Sequence, residues 1–317
     1  MQLGSQPKPS VGVVYDSAMG ASIDDALALA LLFGLQGKGE SRVISVSTTN
    51  PNLKSAEYCD VLVRFYTGAP GPFGVAMPIG MATSGKGPGE TPIISAVLAK
   101  PAYERNIQKL NDTADPAAAI RNSLSAQFDQ NAIMVLAGPP TNLAAVLSLP
   151  GCKDLIAHKT RYLCISAAQP PAPPDVPAWK KLFAEWPTPI VVAPKQVGDA
   201  VRFPAASLAT DFSWSPNHPI VDAYHAARPD ATDAPSWAMT AALYAVRPQE
   251  NYFKLSDPGT FTVGDGGFVL TPSAGGKHRS LVYDPAQQDR IVKAYTELAS
   301  TKPVPRFNRF RPAQKKQ

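Results

Sequence analysis

The stretch from Val11 to Leu35 constrains the fold more than any other. Val11–Tyr15 (VGVVY) is a short apolar run of β-type residues ending at Asp16. Ile23–Leu35 then reads as a helix with Ala, Leu and Phe on nearly every side. A helix with no polar face has to be buried against a sheet. Arg42–Thr48 is the next strand candidate, and a helix over about Leu53–Tyr66 follows it. Strand, helix, strand, helix in that order favours a parallel sheet with right-handed crossovers. The expected class is α/β, with a mostly parallel, Rossmann-like central sheet flanked by helices.

The same alternation continues along the chain. Met77–Gly89 is rich in Gly and Pro and reads as a loop, with helices around Ile93–Lys100 and Ala117–Phe128. Ala132–Leu136 is a buried-strand candidate that runs through Gly138-Pro139-Pro140-Thr141-Asn142 into a helix ending at Leu149. Arg161–Ser166 and Pro189–Ala193 are further strands, separated by a helix over Ala178–Trp186. Gln169–Pro177 is a proline-dense loop with no regular structure of its own. Pro216–Ala226 and Ser236–Val246 look helical. Phe261–Thr271 alternates around Asp265-Gly266-Gly267, which signals a C-terminal β-hairpin. Arg279–Tyr283 is a last strand and Pro285–Leu298 a closing helix. No internal repeat or clean linker interrupts this, so the expectation is a flexible N-terminus over 1–10, one domain over 11–303 and a basic tail over 304–317.

Composition narrows the function classes. Hydrophobic residues make up 44% and charged residues 17% of the 317 residues, which argues for a packed core and against disorder. The 33 prolines fall mainly in loops. The net charge is +5, but the one evident basic cluster is terminal: Arg306, Arg309, Arg311, Lys315 and Lys316. It reads as a solvated tail, so no specific nucleic-acid partner is expected. Cys59, Cys152 and Cys164 form no C-x-x-C pair, so zinc is not expected, and their odd count argues against a disulfide framework; they read as small core residues. No run approaches the roughly 20 apolar residues of a membrane helix, so no membrane partner is expected. Met1–Ser10 is polar and lacks the apolar run of a signal peptide, giving a cytoplasmic expectation unless a leader has been removed. His158, His218, His225 and His278 have no ligand spacing. Ser236 has no G-x-S-x-G setting, and Gly85–Gly89 lacks the Walker spacing.

The chemistry-bearing segment is VGVVYDSAMGASIDDALAL, Val11–Leu29. A strand ends, a glycine permits a tight turn, and a helix opens on Asp24 and Asp25. Loops after parallel strands are where α/β folds place their sites. Carboxylates brought together there need a cation or a raised pKa, and hard oxygen ligands suit Ca²⁺. The structural alternative is that Asp24 and Asp25 complement the helix dipole. Taken alone, the pair favours that alternative.

This segment resembles the signature of the inosine-uridine nucleoside hydrolase family, which reads Asp-Thr-Asp, a glycine loop and Asp-Asp-Ala-Leu-Ala-Leu. Asp16 stands on the first aspartate, Ser17 on the threonine, Gly20 on the glycine and Asp24-Asp25 on the closing pair. Ala18 stands where the family has the aspartate that binds Ca²⁺ and activates water. Ser22 stands where a longer-loop branch has another aspartate. Further blocks follow in order. Ile44–Asn50 resembles the second strand and pocket asparagine. Leu136–Ala144 resembles the Gly-Pro-Leu-Thr-Asn turn, in which Ala137 would offer a carbonyl to calcium. Asp175–Gly198 resembles the next block, and Pro235-Ser236-Trp237 precedes Ala238 where a branch has a ligand aspartate. The family's ribose-binding Glu and Asn have no counterpart in Gln169–Pro174. The resemblance implies the nucleoside hydrolase fold. It also implies substrate contacts from Asp24, Asn50 and Trp237, and a vestigial metal site of Asp25, Asp16 and the Ala137 carbonyl.

Two ligand aspartates are thus alanines, Ala18 and Ala238. The expectation is a calcium site that is weak or absent, no tightly bound cofactor, no confident catalytic residue, and a catalytically impaired or inactive pseudoenzyme that keeps a nucleoside or sugar ligand. Two alternatives stand beside it. One is an active N-ribosyl hydrolase with a rearranged site using Asp16, Asp24 or Asp233. The other is a structural or oligomerising protein with an empty pocket. The resemblance also implies a homo-oligomer, or a hetero-oligomer with an active relative.

Overall fold

The structure is a computed structural model and describes residues 10–68 and 77–303. Six strands run parallel: β1 (Val11–Ser17), β2 (Ser41–Thr48), β3 (Ile79–Met81), β4 (Ala132–Ala137), β5 (Thr160–Ala167) and β6 (Ile190–Pro194). β7 (Arg202–Phe203) and β8 (Ala234–Pro235) form a small antiparallel pair. β9 (Lys254–Leu255) ends the main sheet, β10 (Gly259–Gly264) and β11 (Gly267–Pro272) make a hairpin, and β12 (Arg279–Val282) lies parallel to β6 and antiparallel to β9. The main sheet therefore has the order β3-β2-β1-β4-β5-β6-β12-β9. The α/β class and the hairpin read from sequence are both present. Gly264 pairs with Gly267 across a two-residue turn of Asp265 and Gly266.

β1 is buried along its whole length, as a strand covered on both faces must be. Its alternate side chains divide the core. Val13 and Tyr15 join the cluster with helices α1 (Ile23–Gly37), α2 (Leu53–Thr67) and α3 (Pro92–Leu98). Val14 joins the opposite cluster with α4 (Pro116–Ser125), α5 (Thr141–Ser148), α6 (Cys152–Lys159) and α7 (Val176–Glu185). Beyond α7 the chain forms α8 (Lys195–Ala200), α9 (Ser207–Thr210), α10 (Pro219–Ala227), α11 (Trp237–Val246) and α12 (Gln288–Ala299). Helix α1 is buried from Ile23 to Gln36 because α10, α11 and α12 pack on it from outside while it faces the sheet. That double cover is why its sequence has no polar stripe.

Several expectations shift. The loop over Met77–Gly89 contains β3, whose three residues pair with Val46, Ser47 and Thr48. An edge strand that short has too few side chains to show a period. The proline loop Gln169–Pro177 closes on a 3₁₀ turn at Pro173–Asp175, and α7 starts at Val176. Pro177 fits there because the first helical turn needs no N–H donor. The closing helix begins at Gln288, after a 3₁₀ turn at Pro285–Gln287. Helix α6, after Gly151, and strands β7, β8 and β9 had no sequence expectation at all. All three cysteines are buried and free. His218 and His278 are buried, and each accepts a backbone N–H, from Ile220 (3.2 Å) and Ile190 (2.9 Å). Most of the expected N-terminal segment and the whole basic tail lie outside the described residues. No helix among the described residues is long and apolar enough to cross a membrane.

Candidate functional site

Between β1 and β4 the strand order reverses direction, the switch point where open α/β sheets form a crevice at their carboxyl ends. A cavity of about 500 Å³ lies there. Its floor is the turn after β1 and the start of α1: Ala18, Ala21, Ser22, Asp24 and Asp25. One wall is Ala137, Gly138 and Pro139 at the end of β4. The opposite wall is Ser166 and the segment from Ala168 to Ala172, with Asp175 and Trp179 behind it. Trp237, the first residue of α11, closes the remaining side.

Two glycines make the floor. Gly20 turns the chain at φ +92°, with no room for a Cβ beside Ile94. Gly138 lets the β4 turn approach the β1 turn, since a Cβ there would lie 2.6 Å from the Ala18 nitrogen. The two turns are joined by the Ala18 N–H donating to the Ala137 carbonyl (3.2 Å). The carbonyl expected to face a cation thus already ties the two loops together.

Each floor carboxylate has a structural partner. Asp16 accepts from the Ser47 hydroxyl (2.6 Å) and the Asn142 amide (2.9 Å) through Oδ1, while its Oδ2 has no partner among the described residues. It holds β1, β2 and α5 together and does not line the cavity. Burial pushes its pKa up to about 6 against the pull of those two bonds. Asp24 reaches across to α11, where its carboxylate accepts from the Ala238 N–H and from the Met239 N–H (3.2 Å). It caps a helix 214 residues away in sequence. Burial pushes its pKa up to about 7, and the backbone bonds oppose the rise. Asp25 accepts from the Ser22 N–H (3.3 Å), and the Ser22 hydroxyl accepts from the Asp24 N–H (3.2 Å), so the two residues form a capping box for α1. Burial, then the neighbouring Asp24 charge, raise the Asp25 pKa well above the usual range.

The other candidates are more scattered. Asn50 was expected in the pocket but lies outside the cavity lining. It is buried, and its amide donates to the Gly89 carbonyl (2.9 Å). Ala238 is buried behind Trp237 and contributes only its backbone N–H to Asp24. Trp237 lines the cavity and donates from Nε1 to Asp199 (2.9 Å). Asp233 accepts from the Ala205 N–H (2.9 Å) on the exposed surface, away from the cavity lining. Sequence reasoning missed Ser166, Gln169, Asp175 and Trp179 as lining residues. The usable signal was position: Ser166 ends β5, and α/β sites collect at strand ends.

Asp24 and Asp25 share the cavity floor, while Asp16 lies outside the lining. Among the described residues, no group of three His, Cys, Asp or Glu side chains is placed to hold a metal ion. Ca²⁺ takes about six to eight oxygens, several of them charged. Asp16 points toward β2, Asp24 toward α11 and Asp25 back to its own helix start. The residues present do not fit calcium.

No family model matches this chain, and no curated protein matches it. Solved structures do. An inosine-guanosine nucleoside hydrolase superposes with a TM-score of 0.69 at 14% identity, over 91% of this chain and 98% of that one. A plant nucleoside hydrolase gives 0.68 at 16% identity, over 92% and 100%. The type III effector protein XopQ, complexed with adenosine diphosphate ribose, gives 0.68 at 12% identity, over 94% and 96%. The strand order, the switch-point cavity and these full-length superpositions together assign the chain the nucleoside hydrolase fold.

Proposed function

We propose that this protein binds a ribosyl compound, a nucleoside or a sugar, in the switch-point cavity and does not carry out calcium-dependent N-ribosyl hydrolysis. The observation that carries the reading is the pairing of Ala18 with Asp24. The turn after β1 presents a methyl group to the cavity, and the nearby Asp24 is occupied as the cap of α11. A general base has to lie within hydrogen-bond reach of the water it activates, and the loss of one lowers rates by roughly 10²–10⁴-fold. The fold occurs both in nucleoside hydrolases and in an effector complexed with ADP-ribose. Their shared chemistry is a ribosyl group, which supports ligand binding by analogy of fold.

One observation favours a second reading, an active hydrolase with a rearranged site. Asp175 lines the cavity, has no hydrogen-bond partner for its carboxylate among the described residues, and burial raises its pKa. That is the setting of an acid or base. Calorimetric titration with Ca²⁺ and with adenosine and inosine, followed by an assay of base release, tests both readings. Nucleoside binding with neither turnover nor tight calcium is the expected result. Turnover abolished by Asp175→Asn supports the second reading and overturns the first. Silence toward both nucleosides overturns both and leaves a structural or oligomerising protein.

A further inference from the structure

We infer that the cavity selects ribosyl compounds whose ring carries a positive charge and excludes phosphorylated ones. This rests on the ligand-binding reading above and adds the charge class of the ligand. Three carboxylate residues and two indoles line the cavity: Asp24, Asp25, Asp175, Trp179 and Trp237. Among the described residues that line it, none is Lys, Arg or His. Lys195 stands 5.3 Å from the Trp237 ring centre and is paired with Asp199 at 2.6 Å. Its charge is partly offset by that partner.

Helix N-termini normally attract anions, because their free N–H groups point at the ligand. The starts of α1 and α11 both border this cavity, and the chain's own carboxylates close both. Asp25 caps α1 at Ser22, and Asp24 caps α11 at Ala238 and Met239. A phosphate would find neither an open helix end nor an arginine. It would instead meet two free acceptors: the Asp25 oxygen not bonded to Ser22, and the Asp175 carboxylate. Ser166 is 8% exposed, lines the cavity and has no hydrogen-bond partner among the described residues. Its hydroxyl is open to the cavity and is available to a ligand polar group. Flat indoles beside the Asp175 carboxylate favour a cationic ring through both the ring quadrupole and charge.

The test compares adenosine, 1-methyladenosine and adenosine 5′-monophosphate by calorimetry at pH 7. The first pair differs by one methyl group and one positive charge. The expected order is 1-methyladenosine tighter than adenosine by about tenfold, with the monophosphate at least as much weaker. Asp175→Asn keeps the shape of the wall and should shrink the cation preference, read as the ratio of the two affinities, to about threefold or less. A thermal unfolding midpoint confirms that the variant is folded. Equal binding of the pair, tighter binding of the monophosphate, or an undiminished preference in a folded Asp175→Asn overturns the inference and leaves the ligand-binding reading standing. Failure of all three to bind overturns that reading and this inference with it.

Discussion

Ala18 and Ala238 stand where a nucleoside hydrolase resemblance places ligand aspartates, yet the structure puts them in opposite settings. Ala18 is half-buried in the β1–α1 turn and faces the cavity. Ala238 is 1% exposed at the start of α11, with its N–H held by Asp24. Under that resemblance the two positions read alike. Physically, one leaves a space that solvent or ligand can use, and the other has been absorbed into a helix–helix joint. The β1–α1 region keeps the form of a site. The α11 region has become part of the packing that holds α1 in place.

The largest expected effect breaks the comparison directly. Ala238→Asp adds a buried carboxylate beside Asp24, a like-charge pair with no cation. It should destabilise the fold by about 3 kcal/mol or more in chemical denaturation without calcium. Full recovery of the Ala18→Asp/Ala238→Asp double variant in millimolar Ca²⁺ would show that the two alanines are all that separates this site from a metal centre. Next in size is Asp24→Ala, which leaves the Ala238 and Met239 N–H groups buried without an acceptor. The expected loss is about 2 kcal/mol, read as a lower unfolding midpoint.

A pH series sharpens the role of Asp24. Its folded pKa is raised, so below about pH 4 the acid is protonated in both states and ionisation imposes no penalty. As pH rises, the unfolded chain ionises first, and stability falls up to about pH 7, where Asp24 titrates in the fold. Asp16 adds a loss of the same sign up to about 6. His218 and His278, held down to about 3 and about 4, act in the opposite direction and lose stability as pH falls below the usual histidine value. Asp24→Asn should therefore show a shallower decline than the parent between pH 4 and pH 7. An identical slope in the two proteins contradicts the assignment. The smallest effect belongs to Ala18→Asp: a stability change under about 1 kcal/mol, because the new carboxylate faces the cavity, and no tight calcium binding by calorimetry. Submicromolar calcium affinity from that single change would show that the remaining ligands were already in position.

Much of the fold was legible because its signals are local. The apolar run of β1, the all-round apolar helix α1 and the strand at Ala132 each carry their period or their lack of one. The short edge strands β3 and β9 did not, since two or three residues cannot show alternation. The site was legible only in part. Proximity of Asp16, Asp24 and Asp25 along the chain suggested a shared cation. In space each is bound to a different partner, because Ser47, Asn142, Ser22 and the start of α11 each supply a donor, and only Asp24 and Asp25 reach the cavity. Trp179 belongs to the core, at 5% exposure, yet it also lines the cavity. Trp186 and Trp214 are anchors throughout, donating to the Thr188 hydroxyl and the Ser300 carbonyl, each at 2.9 Å.

The amino-acid order alone determined the layered α/β class, the turn at Gly20, the hairpin at Asp265-Gly266 and the absence of a carboxylate at positions 18 and 238. These depend on residue type, backbone freedom and spacing over a few residues. Only the tertiary structure decided what the surviving carboxylates do. Asp24 meets its partners across 214 positions of chain, and no local pattern can encode a hydrogen bond whose donor arrives through the packing of two helices.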